Sequence, residues 1–119
     1  MRSLVTVLAF LIICGPTFSI SGRSYRDAAL EAARWIRGSA IQADQGSVWP
    51  ADPRDAKSVN NTLYAGTPGV VLFFIEASRS TGDKAFLKDA RAGADHLLVT
   101  LATERESGLY TGIAGIELA

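Results

Sequence analysis

Cysteine is almost missing: Cys14 is the one example in 119 residues, and it sits in an apolar stretch near the N-terminus. If that stretch is removed on export, neither a disulfide nor thiolate metal ligation can form within the remaining chain. Histidine is as scarce, with His96 alone. Charge of one sign is also lacking, because twelve basic residues balance twelve acidic ones without a run of like charge. That removes the electrostatic footprint a nucleic acid or an anionic membrane would need. No window shows clean apolar–polar alternation bounded by turn signals, so the pattern gives a β-sheet no support. Nor does any apolar run reach the about 20 residues that a membrane-spanning helix requires.

What is present begins with Arg2, an uncharged apolar run from Leu4 to Cys14, then Gly15-Pro16 and the small residues Thr17, Ser19 and Ser21. These are the three regions of a secretory signal peptide, with cleavage expected after Ser19 or Ser21. The chain is accordingly divided into a signal peptide, residues 1–21, and one domain, residues 22–119. A secreted or periplasmic location follows, with no stable membrane span after cleavage; a retained membrane anchor is the alternative. Cys14 as a lipid attachment point is disfavoured by the bulky Ile13 before it. The composition, 48% hydrophobic and 20% charged, is that of an ordinary globular domain.

Past the leader, Ser24-Tyr25-Arg26-Asp27 opens a helical pattern, with Ser24 as N-cap and Asp27 three residues on, as in a capping box. Tyr25, Ala28, Ala29, Ala32, Trp35 and Ile36 recur at helical spacing opposite Arg26, Arg34 and Arg37. They are the expected buried side of a helix ending near Gly38. Gln42 to Tyr64 reads as a long polar connection rich in Asp, Gly, Pro and Asn. Such loops are usually functional or mobile, though an excursion that packs Trp49 for its own stability is the simpler reading. Thr67-Pro68 then looks like an N-cap followed by proline at the first helical position, opening an apolar helix to about Arg79. Thr81-Gly82-Asp83 makes a tight turn into a third helix, about Lys84 to Thr103. A fourth begins near Gly112. The fold class is all-α, built from antiparallel helical hairpins.

The stretch Leu63-Tyr64-Ala65-Gly66-Thr67-Pro68-Gly69-Val70-Val71-Leu72 returns forty-six positions later as Leu109-Tyr110-Thr111-Gly112-Ile113-Ala114-Gly115-Ile116-Glu117-Leu118, and five of the ten pairs are identical. Repetition at that period is what stacked helical units produce, since each exposes an apolar face that only a neighbour can cover. Gly66, Gly69, Gly112 and Gly115 lie where loop becomes helix, where glycine admits positive φ and close backbone approach. Tyr64 and Tyr110 are expected to pack their rings while the hydroxyls reach polar partners. A phosphate cradle at the helix N-terminus is the competing reading, without the lysine such a site would use.

Leu-Tyr-x-Gly-x-x-Gly entering an apolar helix, then Ser80-Thr81-Gly82-Asp83, then Ala90-Arg91-Ala92-Gly93-Ala94-Asp95-His96-Leu97-Leu98 and the second glycine motif, resembles lanthionine synthetase C and its relatives. The likeness runs from about Ala28 to Ala119. It implies an α/α toroid related to the six-hairpin glycosidase architecture, incomplete in this chain, with a central cavity at one end of the inner ring. It also implies, for a full-length member, zinc held by two cysteines and a histidine. The metal lowers the pKa of a thiol, which then adds to a dehydrated serine or threonine side chain. Those ligands belong to later repeats of the family, so no catalytic, cofactor-binding or metal residue is assigned here. His96, alone within a helix, is read as a packing or surface residue. The secretory leader departs from the family, whose cyclases work in the cytoplasm or at its membrane face.

Three functions fit this sequence. The first is the opening portion of an exported lanthionine synthetase C-like protein, inactive alone, whose full-length form takes a peptide substrate. The second is an exported carbohydrate-active enzyme, using two carboxylates roughly 5 to 9.5 Å apart. Asp44, Asp52 and Asp55 would supply them, and Trp49 would stack on the sugar. The third is a non-enzymatic binding module that leaves Val71, Phe74 and Ile75 uncovered as an apolar patch. Asn60-Asn61-Thr62 also matches the N-glycosylation pattern.

Overall fold

A computed structural model describes residues 24–119, and the expected signal peptide lies outside them. In chain order the elements are α1 (Tyr25–Gly38), β1 (Ile41–Gln42), β2 (Ser47–Val48), a short 3-10 turn (Ala56–Ser58), α2 (Thr67–Thr81), α3 (Lys84–Leu101) and α4 (Ile113–Leu118). The described chain is mostly helical; it departs from an all-α class in a two-stranded antiparallel ribbon that pairs Ile41 with Val48 and Gln42 with Ser47, and in an isolated antiparallel bridge between Pro50 and Val59.

Local chemistry sets the helix ends. The Ser24 hydroxyl accepts from the Arg26 amide at 3.2 Å, which satisfies one of the donors a helix N-terminus leaves free. Gly82 stops α2 in the left-handed conformation at φ 74°, its amide donating to the Ser78 carbonyl, a geometry that glycine adopts without a Cβ clash. The Asp83 carboxylate accepts from the Ala85 amide at 2.8 Å and opens α3.

The start of α2 differs from expectation. Gly66, not Thr67, is the N-cap, and no side chain caps it. Thr67 is fully buried, and its hydroxyl accepts from the Trp49 amide at 3.3 Å. The threonine is recruited by the ribbon instead of by its own helix.

Burial centres on α2. Val71 and Phe74 are buried, not left uncovered as the binding-module reading required, and Ile75 is packed against the same core. The Phe74 ring lies 5.6 Å from Trp49 and 6.0 Å from Phe86, stacked on the latter. These separations suit aromatic pairs, which add about 0.5–1.5 kcal/mol each beyond area burial. Phe86, Ala90, Gly93 and Leu97 form the buried face of α3. At Gly93 the chain needs a small residue, since a Cβ would press on the Val71 and Trp49 side chains.

On α1 the expected face is turned outward. Tyr25 is 96% exposed and Trp35 63%, and Ala28, Ala29 and Ala32 are exposed with them. The side that packs is Leu30, Ala33 and Ile36. Arg37 joins it, with its guanidinium 4.7 Å from the Phe86 ring centroid and its Nε bonded to Asp89. An arginine can lie on an apolar ring while a carboxylate satisfies its edge, which a count of apolar residues per face misses.

Candidate functional site

Both copies of the repeated motif make the same pair of loop-to-helix bonds. In the first, the Gly66 amide donates to Thr62 O at 2.8 Å and the Thr67 amide to Asn60 O at 3.1 Å. In the second, the Gly112 amide donates to Gly108 O at 2.9 Å and the Ile113 amide to Glu106 O at 2.7 Å. Each upstream loop therefore wraps the first turn of the helix that follows it. Four glycines make room for that wrap. A Cβ on Gly66 would overlap the Asn60 carbonyl, and one on Gly69 the Leu63 carbonyl. A Cβ on Gly112 would overlap the Glu106 carbonyl, and one on Gly115 the Leu109 carbonyl.

Close approach, not backbone conformation, is thus the reason for glycine here. Gly66 and Gly112 have φ of −121° and −149°, and among the described residues only Gly46 and Gly82 have positive φ. The phosphate cradle fails on the same bonds. The Gly66 and Thr67 amides at the start of α2 already donate to loop carbonyls, and Pro68 has no N–H to offer.

The two loops are joined to each other. The Leu63 amide donates to Tyr110 O at 2.9 Å, and Leu63 Cβ lies 3.3 Å from where a Gly115 Cβ would stand. The starts of α2 and α4 are therefore side by side. Tyr64 and Tyr110, expected to pack their rings, are 90% and 62% exposed instead. Tyr64, with Pro50, Ala51, Leu63, Val70 and Phe73, lines an open cleft of about 370 Å³.

Asn60 organises the first loop. Its Oδ1 accepts from the Thr62 amide at 3.0 Å and the Thr62 hydroxyl at 2.7 Å, and its Nδ2 donates to Ser58 O at 3.1 Å. The acceptor nitrogen of the glycosylation triplet is thereby already engaged in the folded loop. Sequence reasoning missed the roles of Asn60 and Glu106, because both contribute a main-chain carbonyl that leaves no side-chain signature.

The carbohydrate constellation does not assemble. Trp49 is buried, with its indole N–H donating to Ile36 O at 2.9 Å and its ring against Phe74, so it offers no face to a sugar. Asp55 caps the 3-10 turn by accepting from the Lys57 amide at 2.9 Å. Asp52 accepts from the Arg54 side chain at 3.1 Å and from its amide at 3.0 Å. Those two bonds hold its carboxyl below the ordinary value, the reverse of what a general acid needs. Asp44 is exposed in the ribbon turn. His96 is half-buried on α3. Among the described residues no group of three or more His, Cys, Asp or Glu could hold a metal ion.

A family model described as lanthionine synthetase C-like protein matches residues 57–119, which include both glycine motifs, α2 and α3. No curated protein and no solved structure matches the chain.

Proposed function

This chain belongs to the lanthionine synthetase C-like family, and from that membership we propose that it serves as scaffold for the family's reaction, thiol addition to dehydrated serine or threonine side chains in peptides. In this reading the helices are successive units of an α/α toroid, with α2 and α4 in the inner ring and α1 and α3 outside. The observation that carries it is the Leu63–Tyr110 bond, which sets two equivalent loops side by side at one end of two neighbouring helices. Adjacent inner helices of a ring would be arranged in that way.

The metal is a separate matter. The family's zinc takes two cysteines and a histidine, whereas the described residues hold His96 and no cysteine. These residues do not fit the metal, so no chemical step is routed through it in this chain. Their contribution is positional: the loop wrap fixes where each inner helix begins, and the exposed tyrosines stand at that end. Export to the periplasm or the exterior belongs to the same proposal and rests on residues 1–21.

Metal analysis and a thioether assay test this together, with the chain offered a dehydroalanine peptide and a thiol. A scaffold without the chemistry leaves the adduct forming at the uncatalysed rate and holds no stoichiometric zinc. One bound zinc with accelerated adduct formation would place the chemistry on this chain and overturn the proposal.

A further inference from the structure

We propose that the second loop wrap is an acid-sensitive joint, closed by the Glu104 carboxylate and released when that group takes up a proton, while the first wrap stays closed. The two share their main-chain bonds and differ in the side chain that orders the loop. In the first it is Asn60, whose Oδ1 holds the Thr62 amide and hydroxyl and whose own carbonyl receives the Thr67 amide. A side-chain amide does not titrate. Forty-six positions on, Asn60 is replaced by Glu106, and the ordering falls to the half-buried Glu104. Its Oε1 accepts from the Arg105 amide at 2.8 Å and from the Glu106 amide at 3.1 Å. Glu106 is thus held at both ends, by the carboxylate at its amide and by the Ile113 amide, 2.7 Å away, at its carbonyl.

Hydrogen bonds onto an ionised carboxylate are roughly twice as strong as those between neutral groups, so protonation loosens the grip on the amide side of Glu106. The bond from the Glu106 amide, then that from the Arg105 amide, draw the Glu104 carboxyl below its ordinary value. The carboxylate therefore steadies the wrap above the ordinary carboxylate range, and that effect goes as pH falls through the lowered value. Arg105 and Glu106 flank it in the loop, residues 97–103 before it are uncharged, Asp95 and His96 stand earlier on α3, and α4 carries Glu117. Where the two loops are joined the titratable groups are Tyr64 and Tyr110, both neutral in acid. Among the described residues no ion pair reaches Glu104. Tyr110 O, the acceptor of the Leu63 amide, lies in the same loop, so release of the second wrap loosens the link between the loops while the start of α2 keeps its own bonds.

Amide exchange of Ile113 and Thr67 on the full chain, followed by NMR between neutral pH and about pH 3 and corrected for the intrinsic rate at each pH, reads the outcome. In the parent, Ile113 loses protection with a midpoint below the ordinary carboxylate range, whereas Thr67 keeps it. Glu104→Gln has the same shape without the charge, so Ile113 is less protected already at neutral pH and acid changes it no further. Glu106→Gln keeps the parent's profile, and unchanged far-ultraviolet circular dichroism shows that both variants remain folded. Protection of Ile113 that does not change with pH overturns the proposal. So does a parent in which Ile113 and Thr67 lose protection together, since acid would then open the whole fold. A pH-dependent Ile113 in Glu104→Gln, or a profile lost in Glu106→Gln, overturns it as well by placing the proton on another group.

Discussion

Replacing Gly66 with alanine isolates the loop wrap from every other feature of the fold. The backbone there is at φ −121° and ψ −168°, which alanine adopts freely, so the substitution carries no conformational penalty. By restricting the unfolded chain it would even stabilise by about 0.4–1 kcal/mol. Against that, the new Cβ meets the Asn60 carbonyl, which is main chain and cannot rotate aside. Overpacking of this kind costs about 1–3 kcal/mol. Moving the loop outward to relieve it stretches the Gly66–Thr62 and Thr67–Asn60 bonds, each worth about 0.5–1.5 kcal/mol. The net expectation is a loss of about 2–4 kcal/mol, read as a lower urea midpoint at constant slope. Gly38→Ala is the control. Nothing lies within 4 Å of its Cβ, and in a helix it should be neutral or stabilising by up to about 1 kcal/mol. Equal stability of Gly66→Ala and the parent would refute close approach as the reason for the motif.

Thr67→Val keeps the shape of the side chain but removes the acceptor of the buried Trp49 amide, with an expected cost of about 1–3 kcal/mol; a red-shifted tryptophan emission would accompany it if the ribbon loosens. Phe74→Ala empties the centre of the aromatic cluster and should cost about 3–5 kcal/mol in urea denaturation. Asp52, held down by Arg54, should titrate below an ordinary carboxylate when followed by NMR, and Arg54→Ala should return it upward. A depressed folded value means that its stabilising effect is present above the ordinary carboxylate pKa and is lost as pH falls through the folded value. An unmoved Asp52 in Arg54→Ala would contradict that assignment.

Features that depend on near neighbours in the chain were legible from sequence. Ser24, Gly82 and Asp83 act through main-chain groups two to four residues away, so their positions announce the helix ends. The repeat is visible for a similar reason, since each glycine is shaped by a carbonyl six residues before it. What depends on distant partners was not legible. Trp35 and Leu30 both sit on plausible apolar faces of α1, and the choice falls to which face α2 and Phe86 meet. Arg37 reverses its expected side because Asp89 and an aromatic ring receive it. That Trp49 packs within its excursion was the simpler reading of the sequence, and it does; the means was not legible. The residue is core because a two-residue ribbon, too short to show alternation, folds it under α2 and α3. Of the candidate site, the glycines could be read and the wrap could not, as its acceptors are main chain.

NMR of the Leu63 environment reads the pairing of the two motif copies. Joined loops give a Leu63 amide protected from exchange by its bond to Tyr110 O, together with a cross-peak between the Leu63 β protons and the Gly115 α protons. A rapidly exchanging Leu63 amide without that cross-peak would mean that the loops are not joined, and that α2 and α4 are not neighbouring units of one repeat.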